Sequence, residues 1–176
     1  LEEDYAPGTS DFRSVLLRLR GKNPDALFIN TQAEPTFAVV LTELERMGWQ
    51  LPRYGAYWPG SKSLQEVAGK SLDGIVFVDL PNLDDVLGSD GKQLLARYRQ
   101  QGGKIRSIET SFATAIEGFR ALDQALQAKE KSAVAFLAST EFKGMFGPYH
   151  FDDRGEIEGL SFALKVIRDG QAQSLH

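Results

Sequence analysis

The chain has no cysteine among its 176 residues. That excludes disulfides, thiolate metal sites and a cysteine nucleophile, and it fits a reducing or an oxidising compartment equally well. No apolar run approaches the ~20 residues needed to cross a bilayer, and no charged leader with an apolar segment precedes Leu1, so the expectation is a soluble chain, mature or truncated. Histidine is scarce, with His150 and the terminal His176 alone. His150 falls in Pro148-Tyr149-His150-Phe151 and has no serine in a nucleophile elbow to serve. Charge of one sign is lacking too: 20 basic and 24 acidic residues are dispersed to a net of -4. Such a chain offers no electrostatic footprint for a phosphate backbone, and nucleic acid is not an expected partner.

Enzyme signatures are equally thin. Gly69-Lys70-Ser71 echoes the end of a phosphate-binding loop, but Leu64 occupies the position where that loop needs glycine, and the triplet precedes a strand instead of opening a helix. Asp84-Asp85 and Asp152-Asp153 have no metal-site spacing and read as solvated turns. No metal and no cofactor are expected, and an α/β enzyme with a flavodoxin-like sheet would have no assembled catalytic group.

What is present is a real core, since 42% of the residues are hydrophobic, and a repeating grammar. Thr9 or Ser10 can cap a helix with Asp11 in its first turn and with Phe12, Val15, Leu16 and Leu19 on one face, ending at Gly21. Asn23-Pro24 forces an extended entry into Ala26 to Ile29, a continuous apolar run suited to a parallel strand buried on both faces. Pro35 then opens a helix with Phe37, Val40, Leu41 and Leu44 on one face and Gly48 as its left-handed cap. A strand near Tyr54 to Tyr57 follows. A third cycle places Leu64, Val67 and Ala68 on a short helix before the strand Ile75 to Val78. Strands alternating with helices at this pace predict right-handed crossovers and a mostly parallel sheet.

Beyond Leu80 the pattern changes. Helices are expected near Asp90 to Gln101, Ser111 to Lys129 and Ser132 to Ala138, with no sheet to cover the apolar face of Phe112, Ile116, Phe119, Leu122 and Leu126. Left uncovered, that face would expose several hundred Å² of apolar surface, more than soluble monomers usually show. At the end, Tyr149 to Phe151, a turn at Asp152 to Gly155 and an alternating segment predict a strand with Leu160, Phe162, Leu164 and Val166 on its covered face.

The order of these pieces carries more than any one of them. The stretch Glu3 to Asp25 sets a helix before the strand Ala26 to Ile29, with no strand ahead of them. Glu34-Pro35, Met47-Gly48, Val67-Ala68-Gly69, Asp73-Gly74-Ile75-Val76, Gly144 to Gly155 and Lys165 to Gly170 follow in sequence. This series resembles the second half of a type I periplasmic binding protein of the branched-chain amino acid (Leu/Ile/Val-binding) family, the solute receptors of ABC importers, over nearly the whole chain.

The resemblance implies a doubly wound α/β fold with a mostly parallel sheet, present as the C-terminal portion of a bilobed protein. Residues 1–80 plus 159–176 would belong to lobe two and residues 81–158 to a helical return into lobe one. It implies binding of a small-molecule solute in the cleft between lobes, delivery to a membrane permease of an ABC importer, a missing N-terminal half as partner, and a periplasmic or extracellular location. The same fold also serves as the ligand-sensing part of signalling receptors and transcription regulators.

Ligands of open parallel sheets lie beyond the carboxyl ends of the strands. The resemblance assigns ligand contact to the loops Asn30 to Glu34 and Tyr57 to Gly60, hence to Thr31, Gln32, Ala33, Glu34, Tyr57 and Trp58. Phe112 resembles a lobe-one aromatic of the cleft, and Tyr5 follows a strand end at its rim. The structural alternatives are that Trp58 packs on Pro59 or a neighbouring helix, that Phe112 joins the Ile116 face, and that Tyr5 marks a turn. Amino acid binders of the family tend to place a tyrosine in the first loop and an acidic residue in the second, to meet the ligand's ammonium. This chain has Ala33-Glu34 and Trp58-Pro59 there. A tryptophan beside a tyrosine offers a flat apolar wall, which suits an aromatic or organic acid before an amino acid.

Overall fold

The computed structural model describes residues 1–6, 8–105, 108–128 and 132–175. Pro7 of the expected Tyr5 to Gly8 turn, Lys129 at the expected end of a helix, and His176 lie outside the described residues. Two compact units are present, Leu1–Asp79 with Leu164–His176, and Leu80–Ala163.

The first unit holds a five-stranded sheet in the order β1-β2-β3-β7-β8. Helix α1 (Arg13–Arg20) leads into β1 (Leu27–Ile29), α2 (Glu34–Arg46) into β2 (Arg53–Ala56), and α3 (Lys62–Ala68) into β3 (Val76–Asp79). β1, β2 and β3 are parallel, with Phe28 opposite Tyr54 and Tyr54 opposite Val76. β7 (Ala163–Arg168) and β8 (Gln171–Ser174) form an antiparallel hairpin. Its two-residue loop, Asp169-Gly170, has positive φ at both positions, the requirement of a type I′ turn.

The expected bounds of α2 follow its chemistry. Pro35 sits in the first turn, where its missing N–H costs nothing, and Gly48 takes φ +58° just past the end. Phe37, Val40, Leu41 and Leu44 are all buried in one cluster with Leu27, Ile29, Ile75 and Phe77. Gly55 in β2 makes room for this: a Cβ there would lie 3.2 Å from the Phe37 ring.

Three local expectations give way in this unit. Neither Thr9 nor Ser10 caps α1, because Thr9 Oγ1 donates to the Ala6 carbonyl, and the Asp11 carboxylate accepts from Arg13 N at 2.9 Å instead. Val67 points to solvent from α3, while Leu64 is fully buried. The alternating end segment holds only in part: Val166 is buried as expected, but Phe162 and Leu164 are exposed, and Lys165 and Ile167 are buried as well. β7 lies between β3 and β8, so both its edges are paired, and its three central residues Lys165, Val166 and Ile167 are buried while Leu164 and Arg168 stay exposed.

The second unit contains α4 (Leu83–Val86), α5 (Ser89–Gln100), α6 (Ser111–Gln127) and α7 (Ala133–Ser139). Contrary to expectation it has its own sheet, a three-stranded antiparallel one of β4 (Phe142–Gly144), β5 (Gly147–Phe151) and β6 (Ile157–Glu158). The expected strand at Tyr149 to Phe151 is β5; its partners β4 and β6, of three and two residues, are too short for sequence periodicity to announce. Phe142 stacks on Tyr149 at 5.1 Å, and both pack with Ala121 of α6. α6 therefore buries Ala113, Ala121 and Ala125, small residues that let the helix come close to its neighbours. Phe112 and Ile116 are partly buried, whereas Phe119, Leu122 and Leu126 face away, at 76%, 52% and 78% exposure.

Candidate functional site

The carboxyl ends of β1, β2 and β3 meet on one face of the first unit. Thr31 and Gln32 follow β1, Tyr57 and Trp58 follow β2, and Asp79 closes β3. Ala33, extended at φ -140°, delivers the chain into α2, whose first residue is Glu34. A carboxylate at that position also complements the positive end of the helix.

Hydrogen bonds tie these loops to one another. The Trp58 indole N–H donates to the Thr31 carbonyl at 2.8 Å, joining the second loop to the first. Thr31 is buried and its Oγ1 donates to the Ala33 carbonyl at 3.1 Å. Tyr57 N–H donates to the Val78 carbonyl at 2.8 Å, which fastens the same loop to β3. A single 3-10 turn, Trp58–Gly60, then runs into Ser61, the cap of α3. The fully buried Ser61 hydroxyl donates to Glu34 Oε2 at 2.6 Å. Since its one proton is spent there, the Ser61–Ser63 contact at 3.0 Å has Ser63 as donor.

Below the turn lies a buried ion pair. Lys165 Nζ of β7 donates to Asp79 Oδ2 at 3.0 Å, with side-chain exposures of 5% and 7%.

The structure thus gathers seven of the eight expected residues in one unit. Tyr57 is the ring that meets solvent, at 40% exposure, and it sits edge-on to Trp58 at 5.0 Å. Trp58 is half-buried and packs on the core, so it serves as the pinned base of the aromatic pair. Gln32 and Ala33 are exposed. Tyr5 reaches this loop, its hydroxyl accepting from Gln32 N at 3.2 Å while its ring packs edge-on to Phe12. A groove of about 700 Å³ runs along the free edge of β1, bordered by Leu1 to Tyr5, Phe28, Asn30 and Gln32. Phe112 belongs to the second unit, where it is partly buried against Leu83, Leu87 and Leu95, with its ring 5.2 Å from that of Tyr98.

Ser61, Asp79 and Lys165 are the residues that sequence reasoning missed. Asp79 carried one faint signal, an acid at the end of an apolar strand; its partner lies 86 residues further on. Both carboxylates on this face are engaged, Glu34 by Ser61 and Asp79 by Lys165. Among the described residues, no group of three or more His, Asp or Glu side chains could hold a metal ion.

The sequence profile described as "Periplasmic binding protein" matches residues 1–171. The Leu/Ile/Val-binding protein of Escherichia coli K12 is 22% identical over 159 residues, covering 89% of this chain and 42% of that protein. The chain therefore spans less than half the length of this relative. Among solved structures, a leucine binding protein, LivK, from Thermotoga maritima superposes with a TM-score of 0.78 at 19% identity, over 98% of this chain and 49% of that one. A solute binding protein of an R. palustris ABC transporter, in complex with 4-hydroxybenzoate, gives 0.76 at 18% identity, over 96% and 49%. These likenesses establish the fold, a parallel-rich α/β sheet covering about half of each neighbour.

Proposed function

The chain belongs to the periplasmic binding protein family, and from that premise we propose that it forms the greater part of one wall of a solute site in an ABC importer receptor, and that the solute is a small aromatic or organic acid. The observation that carries the ligand class is the state of the two carboxylates. An amino acid ligand needs an uncompensated acid, well placed to meet its ammonium; Asp79 is neutralised by Lys165, and Glu34 is turned toward α3 with its Oε2 held by the buried Ser61 hydroxyl. Drawing Asp79 away from Lys165 would leave a buried charge uncompensated, a cost of about 3–5 kcal/mol. The surface that remains is the edge of the Tyr57–Trp58 pair beside the amide of Gln32. A flat apolar ring with one hydrogen-bonding edge suits such a surface.

Binding proceeds without covalent change, through closure of the bilobed protein over its solute, and the loaded receptor hands the solute to a membrane permease from a periplasmic or extracellular position. The remaining wall of the site comes from the rest of the full-length protein.

The test is calorimetric titration of the full-length protein carrying this segment with benzoate-like acids, short aliphatic acids and aliphatic amino acids. The expected result is saturable binding of an acid without an ammonium group, weakened about tenfold by Tyr57→Ala. Binding of amino acids alone, with affinity indifferent to Tyr57, would overturn the ligand class.

A further inference from the structure

We infer that the Asp79–Lys165 ion pair is the positioning device of the Tyr57–Gly60 turn, so that the orientation of the solute-facing aromatic pair depends on a lysine of β7. This inference rests on the solute-binding reading of that turn. Asp79 and Lys165 touch no solute in it; they act through the backbone above them.

Stability alone does not call for ions at this place. Taking two charges out of water costs about as much as their attraction returns, and an apolar pair of similar volume is often neutral or better for folding. The surroundings would accept such a pair, since Phe77, Val166 and Ile167 beside it are all buried and apolar. What an ion pair adds is direction. A carboxylate held by an ammonium at 3.0 Å has one place to be, and a greasy pair can slide.

The direction is used by the turn. Gly60 lies over the pair with no space to spare: a Cβ there would stand 3.2 Å from Asp79 Oδ2 and 3.2 Å from Phe77 Cε2. The neighbouring residues of the turn are tied on the remaining sides. Tyr57 N–H holds the carbonyl of Val78, the residue just before Asp79. The Trp58 indole holds Thr31, and the Gln65 side-chain amide donates to the Pro59 carbonyl at 2.9 Å. The turn is thereby clamped between the end of β1, the end of β3 and the first turn of α3, with the ion pair as its floor. Of these supports, Lys165 alone comes from the far end of the chain, 86 residues from Asp79.

The experiment is amide hydrogen exchange on the solute-free protein, comparing the parent with the double variant Asp79→Leu with Lys165→Met. Tyr57, Gly60 and Ser61 report, because each donates a backbone hydrogen bond within or below the turn. The expected result is exchange faster by about tenfold at these three amides, unchanged exchange at Phe28 and Tyr54, and a Tm within about 3 °C of the parent. Gly60→Ala pushes the turn off the pair while leaving both ions in place, and is expected to give the same local pattern, so the inference stays testable if the double variant does not fold. Parent-like exchange at the three amides in both variants would overturn it. Affinity for the best-bound acid is then measured in the same variants, and a loss of about tenfold is expected. Faster exchange with unchanged affinity would also overturn the inference, since the floor would then not serve the site. A parent that binds no solute would refute the functional reading separately, and the solute-free exchange would still decide whether the pair holds the turn.

Discussion

Helices α2 and α6 are the two longest helices among the described residues, and they use their apolar stripes in opposite ways. In α2 the large residues Phe37, Val40, Leu41 and Leu44 are all buried, because a parallel sheet lies directly beneath them. In α6 Ala113, Ala121 and Ala125 are buried and the large residues Phe119, Leu122 and Leu126 face outward. A helical stripe of big side chains is thus a statement of what the helix can cover, and the surrounding chain decides whether it does. Small residues allow the closest approach, so a short antiparallel sheet carrying stacked Phe142 and Tyr149 takes the alanine face of α6.

The sharpest way to break this comparison is to truncate one ring in each helix. Phe37→Ala is expected to cost about 3–5 kcal/mol of unfolding free energy, from lost burial plus a cavity. Phe119→Ala is expected to stay within about 0.5 kcal/mol. Urea denaturation followed by far-UV circular dichroism gives both values, and a large loss at Phe119 would show that something covers α6 in solution. Next in size is Gly144→Ala. A Cβ there would fall 2.7 Å from the Tyr149 ring, so overpacking by about 1–3 kcal/mol should show that the alanine side of α6 faces a tightly filled interior. In the first unit, Trp58→Phe removes the donor to Thr31 and should cost about 1 kcal/mol. An unchanged denaturation midpoint would mean that the indole bond does not join the two loops.

The smallest effect is a pH dependence confined to the second unit. Tyr149 is held above the ordinary tyrosine value of 10.0, first by burial and then by the Glu117 carboxylate. The folded state keeps the phenolic proton longer than the unfolded chain does. Its contribution is therefore complete below the unfolded value of 10.0 and is lost as pH rises through the raised one. The stability difference between the parent and Tyr149→Phe should stay flat up to about pH 9 and then shrink, as read from denaturation curves at successive pH values. A flat difference through the alkaline range would mean that the hydroxyl is not buried.

Much of the first unit was legible because its signals are local. Pro35 and Gly48 mark the ends of α2 through φ requirements that no neighbour alters, and the apolar runs around Ile29 and Phe77 announce strands, although Phe28 and Val78 are exposed, so these strands are not buried on both faces as expected. The loops expected to face a ligand followed from the same logic, since the carboxyl ends of parallel strands are set once the strands are. The supports beneath those loops were not legible. Ser61 reads as an ordinary helix cap, and nothing near Lys165 announces that an aspartate far back in the chain will meet it. The same lysine is where the alternation from Leu160 to Val166 breaks down: hydrophobicity assigns Lys165 outward, and the ion pair with Asp79 turns it inward beside Val166, which is buried as expected.

By itself, then, the sequence determined the family, the parallel-rich α/β fold, the ends of α2 and the position of the loops beyond β1 and β2. The ends of α2 and the loop positions rest on residues within a turn or two of one another, and the family and fold on the order in which such local signals follow along the chain. The tertiary structure decided which stripe of α6 is buried, which way β7 faces, and that the Tyr57–Gly60 turn rests on a charged pair. Those outcomes depend on partners distant in the chain, and only packing brings such partners within the few ångströms over which dispersion and ion pairing act.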